Sequence, residues 1–353
     1  MWRLRRRRND DAGGRTAVAE PPAEASEDYP GSTSELLAEI ERLTAANRDQ
    51  RDPELERRLL RLRHIAGTRL LDGACGDAQH PEPDRDALPA DAGLPELAPE
   101  QLSPALLRAG ILRDGCVLVR GLVPRADALA FAQRIERAFA ERERRDAGGA
   151  AAPGYYDEFA PHPRFNPVTE RPWIKEGGGV LAADSPLLAF EMLELFGRAG
   201  VPELVEGYLG EPGLISVQKT TLRKAEPAVG GAWHQDGAFM GRVRSLNLWL
   251  SLSRCGDEAP GLDLVPRRLD GLVATQTDEA VLSYQVSHRK AEEAAGDMSI
   301  IRPIFEPGDA LFFDELFLHQ TGSDPTMPNP RYAIENWFFG PSGFPREFAP
   351  LAV

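Results

Sequence analysis

Phe317-Leu318-His319-Gln320-Thr321-Gly322-Ser323-Asp324-Pro325-Thr326-Met327-Pro328-Asn329-Pro330-Arg331-Tyr332 reads as two extended stretches joined by a turn, because Gly, Asn, Asp and Pro crowd its middle and apolar or aromatic residues flank it. If the loop is symmetric about Pro325, His319 and Arg331 lie opposite one another on adjacent antiparallel strands. The same strand character recurs through everything after Gly213, at 215–223, 244–252, 262–265, 309–313, 317–322 and 331–339. Helical periodicity dominates before that point. Many antiparallel strands with Pro and Gly turns, confined to the second half, imply a mainly β fold: a sandwich or jelly roll with helices packed on its outside.

A second stretch supplies chemistry. In Ala232-Trp233-His234-Gln235-Asp236-Gly237, residues two apart on a strand share a face, so His234 and Asp236 can reach one ion. Taken singly, His319 reads as a core histidine and Arg331 as half of a surface ion pair. Taken together, two imidazoles and one carboxylate match the facial triad of non-haem Fe(II) oxygenases, and an arginine nearby suits an acidic cosubstrate. A guanidinium can grip a carboxylate with two hydrogen bonds, which lysine cannot reproduce.

Composition narrows the class. The chain has 353 residues and a formal net charge of -14, which argues against a nucleic-acid partner, since such binding rests on Lys and Arg neutralising phosphates. Cys75, Cys116 and Cys255 are an odd number without CxxC spacing, so neither a disulfide framework nor a zinc ribbon is expected, and a cytoplasmic location fits. Arg3 and Arg5 to Arg8 are followed by Asn9, Asp10 and Asp11 where a signal peptide needs an apolar run. No segment approaches the roughly 18 apolar residues of a membrane helix, so no membrane partner is expected.

Residues 1–33 are rich in Arg, Asp, Gly, Pro and Glu with hardly an aromatic, and are expected to be a disordered tail. Residues 34–76 carry two amphipathic helical patterns, an extension that either caps the barrel or binds a partner. Residues 77–100, punctuated by Pro81, Pro83, Pro89 and Pro95, read as a linker. The remaining 101–353 form the catalytic domain, with a strand at 115–121, a helix after Pro124 and one helix over 186–209. The aperiodic stretch 153–179, holding Tyr155, Tyr156, Phe159, His162, Arg164, Trp173 and Lys175, reads either as a lid that shapes the pocket or as a packed surface loop.

Four segments carry a family likeness: Trp233-His234-Gln235-Asp236, Pro307-Gly308-Asp309-Ala310-Leu311-Phe312-Phe313, His319-Gln320-Thr321-Gly322 and Arg331. They resemble the phytanoyl-CoA dioxygenase-like enzymes, a likeness that runs from about Leu102 to Phe344 and leaves the first hundred residues unmatched. It implies a double-stranded β-helix, a cupin-like jelly roll, and a reaction in which Fe(II), 2-oxoglutarate and dioxygen yield succinate and carbon dioxide while a small molecule is hydroxylated. It assigns His234, Asp236 and His319 to the iron and Arg331 to the distal carboxylate of 2-oxoglutarate, with the Thr321 hydroxyl beside it. Gln218 and Lys224 fall where relatives place residues near cosubstrate or substrate, and Asn247 and Trp249 share a face that can line the pocket. Related halogenases carry a small residue in place of Asp236, so the carboxylate argues for hydroxylation. The chain departs from relatives after its central strand, where Pro266-Arg267-Arg268-Leu269 replaces a small-residue turn; the two arginines reach either an anionic substrate or solvent. Two other classes stay open: a jelly roll that binds metal or ligand without turnover, and a cupin-like metal-dependent isomerase or hydrolase, which has no need of the arginine.

Overall fold

In the computed structural model, which describes residues 29–76, 78–89, 93–157, 159–165, 177–345 and 347–353, two helices lead the chain. Most of the expected tail lies outside the described residues. Helix α1 (Thr33–Asp49) opens on a reciprocal cap, the Ser32 hydroxyl accepting from the Glu35 amide while Glu35 accepts from the Ser32 N–H. Helix α2 (Pro53–Asp72) opens on Asp52, whose carboxylate accepts from the Glu54 amide. Strand β1 (Glu96–Leu97), α3 (Pro104–Asp114), β2 (Cys116–Val119), α4 (Arg125–Asp146) and β3 (Gly179–Leu181) follow. The single helix expected over 186–209 is two, α5 (Pro186–Arg198) and α6 (Val201–Leu209). Pro202 lacks the N–H that would donate to Arg198, so the chain breaks and restarts. The rest is β4 (Leu214–Ala225), α7 (Gly237–Met240), β5 (Ser245–Ser251), β6 (Gly261–Leu264), α8 (His288–Ala295), β7 (Ala310–Phe313), β8 (His319–Gly322), β9 (Arg331–Phe339) and β10 (Pro350–Ala352).

The large sheet runs β1-β2-β7-β5-β9-β4-β10, with β3 on β4, and faces a two-stranded sheet of β6 and β8. Alternation along β5 and β9 sends Leu246, Leu248, Leu250, Ile334 and Phe338 outward, into one core with the helices. Trp249, Ala333, Trp337 and, from β7, Leu311 and Phe313 turn inward and meet Leu262, Leu264 and Phe317 of the small-sheet side. This is the jelly roll with outer helices that strand order implied.

One expectation fails here. Strands β8 and β9 do not pair: β8 lies on β6, with Leu264 opposite His319, whereas β9 lies between β4 and β5. The Pro-rich turn carries the chain from one sheet to the other instead of closing a hairpin, since prolines at 325, 328 and 330 cannot donate to a ladder.

One further segment sits differently from its sequence reading. The stretch 77–100 is not only a connection, because Glu96–Leu97 pairs in parallel with Leu118 and Val119, and Leu88 and Leu97 are buried. The Asp309 carboxylate explains the Pro-Gly-Asp motif nearby: it accepts from the Gly121 amide at 2.8 Å, the Arg120 guanidinium at 2.7 Å and the Glu306 amide at 2.9 Å. Gly308 has φ +101°, and a Cβ there would stand 2.1 Å from the Val123 carbonyl oxygen.

Helices α1 and α2 spend their apolar faces within the chain. Leu36, Ile40, Leu59, Leu62 and Ala66 pack with Phe190, Leu214 and Ala352. At the same seam Arg63 donates to the Ala352 carbonyl at 3.1 Å and the His64 Nδ1 lies 2.8 Å from the Pro350 carbonyl. Of the two roles weighed for the extension, the packing is that of a cap. Leu59→Ala should therefore lower the unfolding free energy by about 2–5 kcal/mol, as for other buried leucines, measured by urea denaturation. A loss below 1 kcal/mol would show that the helices ride on the domain without supporting it.

Candidate active site

His234 and His319 are brought together by the backbone. Each donates its amide to the carbonyl of the other, at 3.0 and 3.1 Å, as a hydrogen-bonded antiparallel pair. Gly231 makes the approach possible: a Cβ there would stand 2.7 Å from the Thr321 amide nitrogen. The two rings lie 4.5 Å apart between centroids. Asp236 arrives by a route the two-residue spacing did not foresee. Extended pairing stops at His234, and Asp236 is already helical at φ -63° and ψ -27°, capping α7. One potential ligand atom from each of His234, Asp236 and His319 nevertheless lies within 4.8 Å of the others.

The donor chemistry of this cluster fits a divalent cation. His234 Nδ1 is 2.7 Å from the Ala232 carbonyl and His319 Nδ1 is 3.2 Å from the Phe317 carbonyl. A carbonyl only accepts, so both Nδ1 atoms carry the proton and both Nε2 atoms keep a lone pair for a metal. Burial, together with the neighbouring His234, holds His319 down at about 4, so its imidazole is neutral at pH 7. Its ring is fixed by Phe313, 4.9 Å away, and by Phe317, stacked at 5.9 Å.

Gln235 sits between the two ligand candidates without facing them. Its amide donates to the Leu316 carbonyl at 2.6 Å and the Gly271 carbonyl at 3.1 Å, and its carbonyl accepts from the Val273 amide at 2.7 Å. It ties the segment after Pro266 to the site, a role no spacing in the sequence signals. Within that segment Arg267 donates to the Ala295 carbonyl and Arg268 pairs with Asp314. Arg268 is committed to the protein, whereas Arg267 stays exposed to solvent.

Arg331 is fully buried and reaches across to the small sheet, where Nη1 donates to the Gly261 carbonyl at 2.9 Å. Its guanidinium carbon is 5.3 Å from the Trp249 ring centre. Arg331 Nε and Trp249 Nε1 are buried donors without a hydrogen-bond partner among the described residues. Buried N–H groups left so are costly, and an acidic ligand is what such donors suit. Thr321 lies on the His319 face of β8, opposite Leu262. Asn247 and Trp249 are both on the inner face of β5, and both are buried.

Gln218 and Lys224 are turned elsewhere. A β-bulge between Ile215 and Thr220 shifts the register of β4 against β9, so the residues facing inward are even-numbered before it and odd-numbered after it. Gln218 is spent on the bulge, accepting from the Ala349 amide at 2.9 Å. Lys224 points out to Glu136 of α4 at 3.0 Å. Thr221 and Arg223 take the inward places beside Glu335, positions that the sequence reading passed over. Of the stretch read as a lid, Tyr155, Tyr156 and Phe159 pack into the helical core, and Arg164 pairs with Asp72. Trp173 and Lys175 lie outside the described residues.

Glu335 ties the inner charges together. Arg223 donates to it with Nε at 3.0 Å and Nη2 at 2.6 Å, and Arg331 Nη2 stands 3.6 Å away. Burial pushes its carboxyl up, but the charge and hydrogen bonds of Arg223, with Arg331 behind, hold it down at about 2 against an ordinary 4.5. Its side chain is a quarter exposed. A depressed carboxyl adds stability above its unfolded value and loses it on the way down. The stability gap between wild type and Glu335→Gln should therefore be full above pH 4.5, of order 3 kcal/mol, and close toward pH 2. Urea titrations across that range measure it, and a gap indifferent to pH would remove the ion pair from the account.

No curated protein matches the chain significantly. Among solved structures it is similar to EctD from S. alaskensis with 2-oxoglutarate and 5-hydroxyectoine, at 18% identity over 77% of this chain and 89% of that one, TM-score 0.46. AviO1 from Streptomyces viridochromogenes Tue57 is 19% identical over 69% of this chain and 98% of that one, TM-score 0.45. The epimerase SnoN in complex with Fe3+, alpha ketoglutarate and nogalamycin RO is 18% identical over 67% and 83%, TM-score 0.46. The sequence profile of Phytanoyl-CoA dioxygenase (PhyH) matches residues 111–327, a span that holds the whole His234, Asp236 and His319 cluster. By that match the chain belongs to the phytanoyl-CoA dioxygenase family, whose members are non-haem iron and 2-oxoglutarate dependent oxygenases.

Proposed function

We propose that this oxygenase hydroxylates a small-molecule metabolite, with His234, Asp236 and His319 holding Fe(II) and Arg331 and Thr321 holding the distal carboxylate of 2-oxoglutarate. The observation that carries it is the meeting of three ligand atoms within 4.8 Å, with both imidazoles fixed in the tautomer a metal needs. When bound, the metal, 2-oxoglutarate and dioxygen supply the oxidising equivalent and release succinate and carbon dioxide.

The chain's own residues bind, orient and screen. Arg331, anchored on the Gly261 carbonyl, offers charge and a buried Nε–H to an acid, while Thr321 adds a hydroxyl from the facing strand. Arg223 neutralises Glu335, so the acid inside the barrel does not repel the cosubstrate. Phe313 and Phe317 keep the His319 ring dry and fixed. A carboxylate at Asp236 favours hydroxylation, since it fills a place that a halide would otherwise need.

The test is anaerobic reconstitution with Fe(II) and 2-oxoglutarate, followed by admission of dioxygen. A visible Fe(II)–2-oxoglutarate charge-transfer band without oxygen, and succinate formed in step with 2-oxoglutarate loss afterwards, are expected. Tight metal binding with neither band nor succinate would favour a binding protein instead.

A further inference from the structure

Arg223, Glu335 and Arg331 share the inner wall of the barrel, where a cosubstrate acid needs only one cation. Alternation along β9 puts Arg331, Ala333 and Glu335 in one inward row, and Arg223 of β4 stands directly across from Ala333. Ala333 is small and fully buried, which leaves room above it for the three long side chains to meet. Arg223 holds Glu335 with two hydrogen bonds, Nε to Oε1 at 3.0 Å and Nη2 to Oε2 at 2.6 Å, and its Nη1 donates to the Gly177 carbonyl at 2.6 Å. Arg331 Nη2 comes no nearer to that Oε1 than 3.6 Å, too long for a hydrogen bond. Its Nη1 goes to the Gly261 carbonyl instead, and its Nε has no hydrogen-bond partner among the described residues.

The sharing of Glu335 is unequal, and the inequality leaves Arg331 available. A carboxylate between two guanidiniums is held most firmly by the one that grips both of its oxygens, and here that is Arg223. Without Arg223, Glu335 would keep its charge with Arg331 as its remaining cation, and a charge left unpaired in the interior is costly. A shift of less than about 1 Å would turn the long contact into a hydrogen bond. Arg331 would then be occupied by a carboxylate of its own chain. The charge balance agrees: two arginines and one glutamate leave one positive charge, the complement of one carboxylate, whereas Arg331 and Glu335 alone leave none.

Resting on the assignment of Arg331 to the distal carboxylate of 2-oxoglutarate, we infer that Arg223 is a positioning residue for cosubstrate binding, which sequesters Glu335 and so keeps it from competing with 2-oxoglutarate for Arg331. Arg223 acts through Glu335. The glutamate is an internal competitor, and the affinity for the cosubstrate depends on which arginine holds it.

Calorimetry on the anaerobic Fe(II)-loaded protein tests this with 2-oxoglutarate and 2-oxopentanoate, which carries a methyl group in place of the distal carboxylate. Arg223→Met should weaken 2-oxoglutarate by about tenfold or more and leave 2-oxopentanoate within about threefold of its wild-type affinity. Arg223→Lys, which keeps a cation beside Glu335, should retain most of the 2-oxoglutarate affinity. Glu335→Gln should bind 2-oxoglutarate at least as tightly as wild type does. Adding Glu335→Gln to Arg223→Met should bring 2-oxoglutarate back to within about threefold of wild type. That recovery separates competition from mere support, because a strut between β4 and β9 does not regain function when its second end is removed. If Arg223→Met does not fold, Arg223→Gln, which keeps a donor for Glu335, takes its place in the cycle. Equal loss of both oxo acids on changing Arg223, weaker 2-oxoglutarate binding by Glu335→Gln, or a double variant no better than the Arg223 variant would each overturn the inference. A wild type that binds the two oxo acids alike defeats the Arg331 assignment first and this inference with it, whereas a wild-type preference for 2-oxoglutarate without recovery in the double variant defeats the inference alone.

Discussion

Arg331→Ala should weaken 2-oxoglutarate binding by roughly 100- to 1000-fold while Fe(II) affinity stays within a few fold. The size follows from the groups lost. A charge-assisted hydrogen bond is worth about 1.5–3 kcal/mol, and each 1.4 kcal/mol is tenfold in affinity, so the lower half of what two such bonds to one carboxylate supply covers this range. Arg331 is fully buried and its Nε has no hydrogen-bond partner among the described residues, so bulk water does not stand ready to take its place. Arg331→Lys should rescue little, because an ammonium keeps the charge but not the fork. It would also leave Glu335 with Arg223 alone and the Gly261 carbonyl without its donor. The effect should appear in the KM for 2-oxoglutarate and as loss of the charge-transfer band at moderate cosubstrate, with metal binding followed separately by calorimetry. An unchanged KM for 2-oxoglutarate in a folded Arg331→Ala protein would move the cosubstrate elsewhere in the barrel.

Arg331 also illustrates what was legible in the sequence. Residue types and chain order were enough to single out His234, Asp236, His319 and Arg331, because few side-chain sets suit one metal and one acid. The strand periodicity placed seven of the ten strands among the described residues, with the short segments at 96–97, 179–181 and 350–352 too brief to stand out. What failed was local geometry that depends on partners far away in the chain. The loop at 323–330 looks symmetric, yet its two flanking strands join different sheets, and nothing within the loop encodes that. The bulge in β4 is the sharper case. It moves the inward row from even to odd numbers, so Lys224, taken from the family likeness, falls on the outward row, and the inward Thr221 and Arg223 were passed over. The bulge forms where Gln218 meets the backbone near Ala349, a contact 131 residues away in sequence. The helical extension was found by its periodicity, but its seat on β10 and α5 was not readable from either segment alone.

Asp236→Ala should abolish turnover and metal-dependent stabilisation while leaving the metal-free fold almost intact. Changing a partner that merely orients a ligand typically costs 10- to 100-fold in metal affinity, so deleting one of three ligands should cost more than about 100-fold. The fold has little stake in this carboxylate. Asp236 begins α7 with its backbone and makes no side-chain cap there, so its removal breaks no helix. A ligand present at 100 times its dissociation constant stabilises the folded state by about 2.7 kcal/mol. Wild type should gain that much with Fe(II) at that ratio under anaerobic conditions, and Asp236→Ala should gain less than about 0.4 kcal/mol. His319→Ala makes the contrasting control. Its ring is buried against Phe313 and Phe317, so that variant should lose metal binding and also some 2–4 kcal/mol of metal-free stability, in the range of other large-to-small core changes. A protein whose stability still rises by the wild-type amount with Fe(II) after either substitution does not hold its iron with these side chains. If Asp236→Ala instead unfolds the metal-free protein, the carboxylate is a structural element of the turn, and the cluster would owe its geometry to packing and not to a metal.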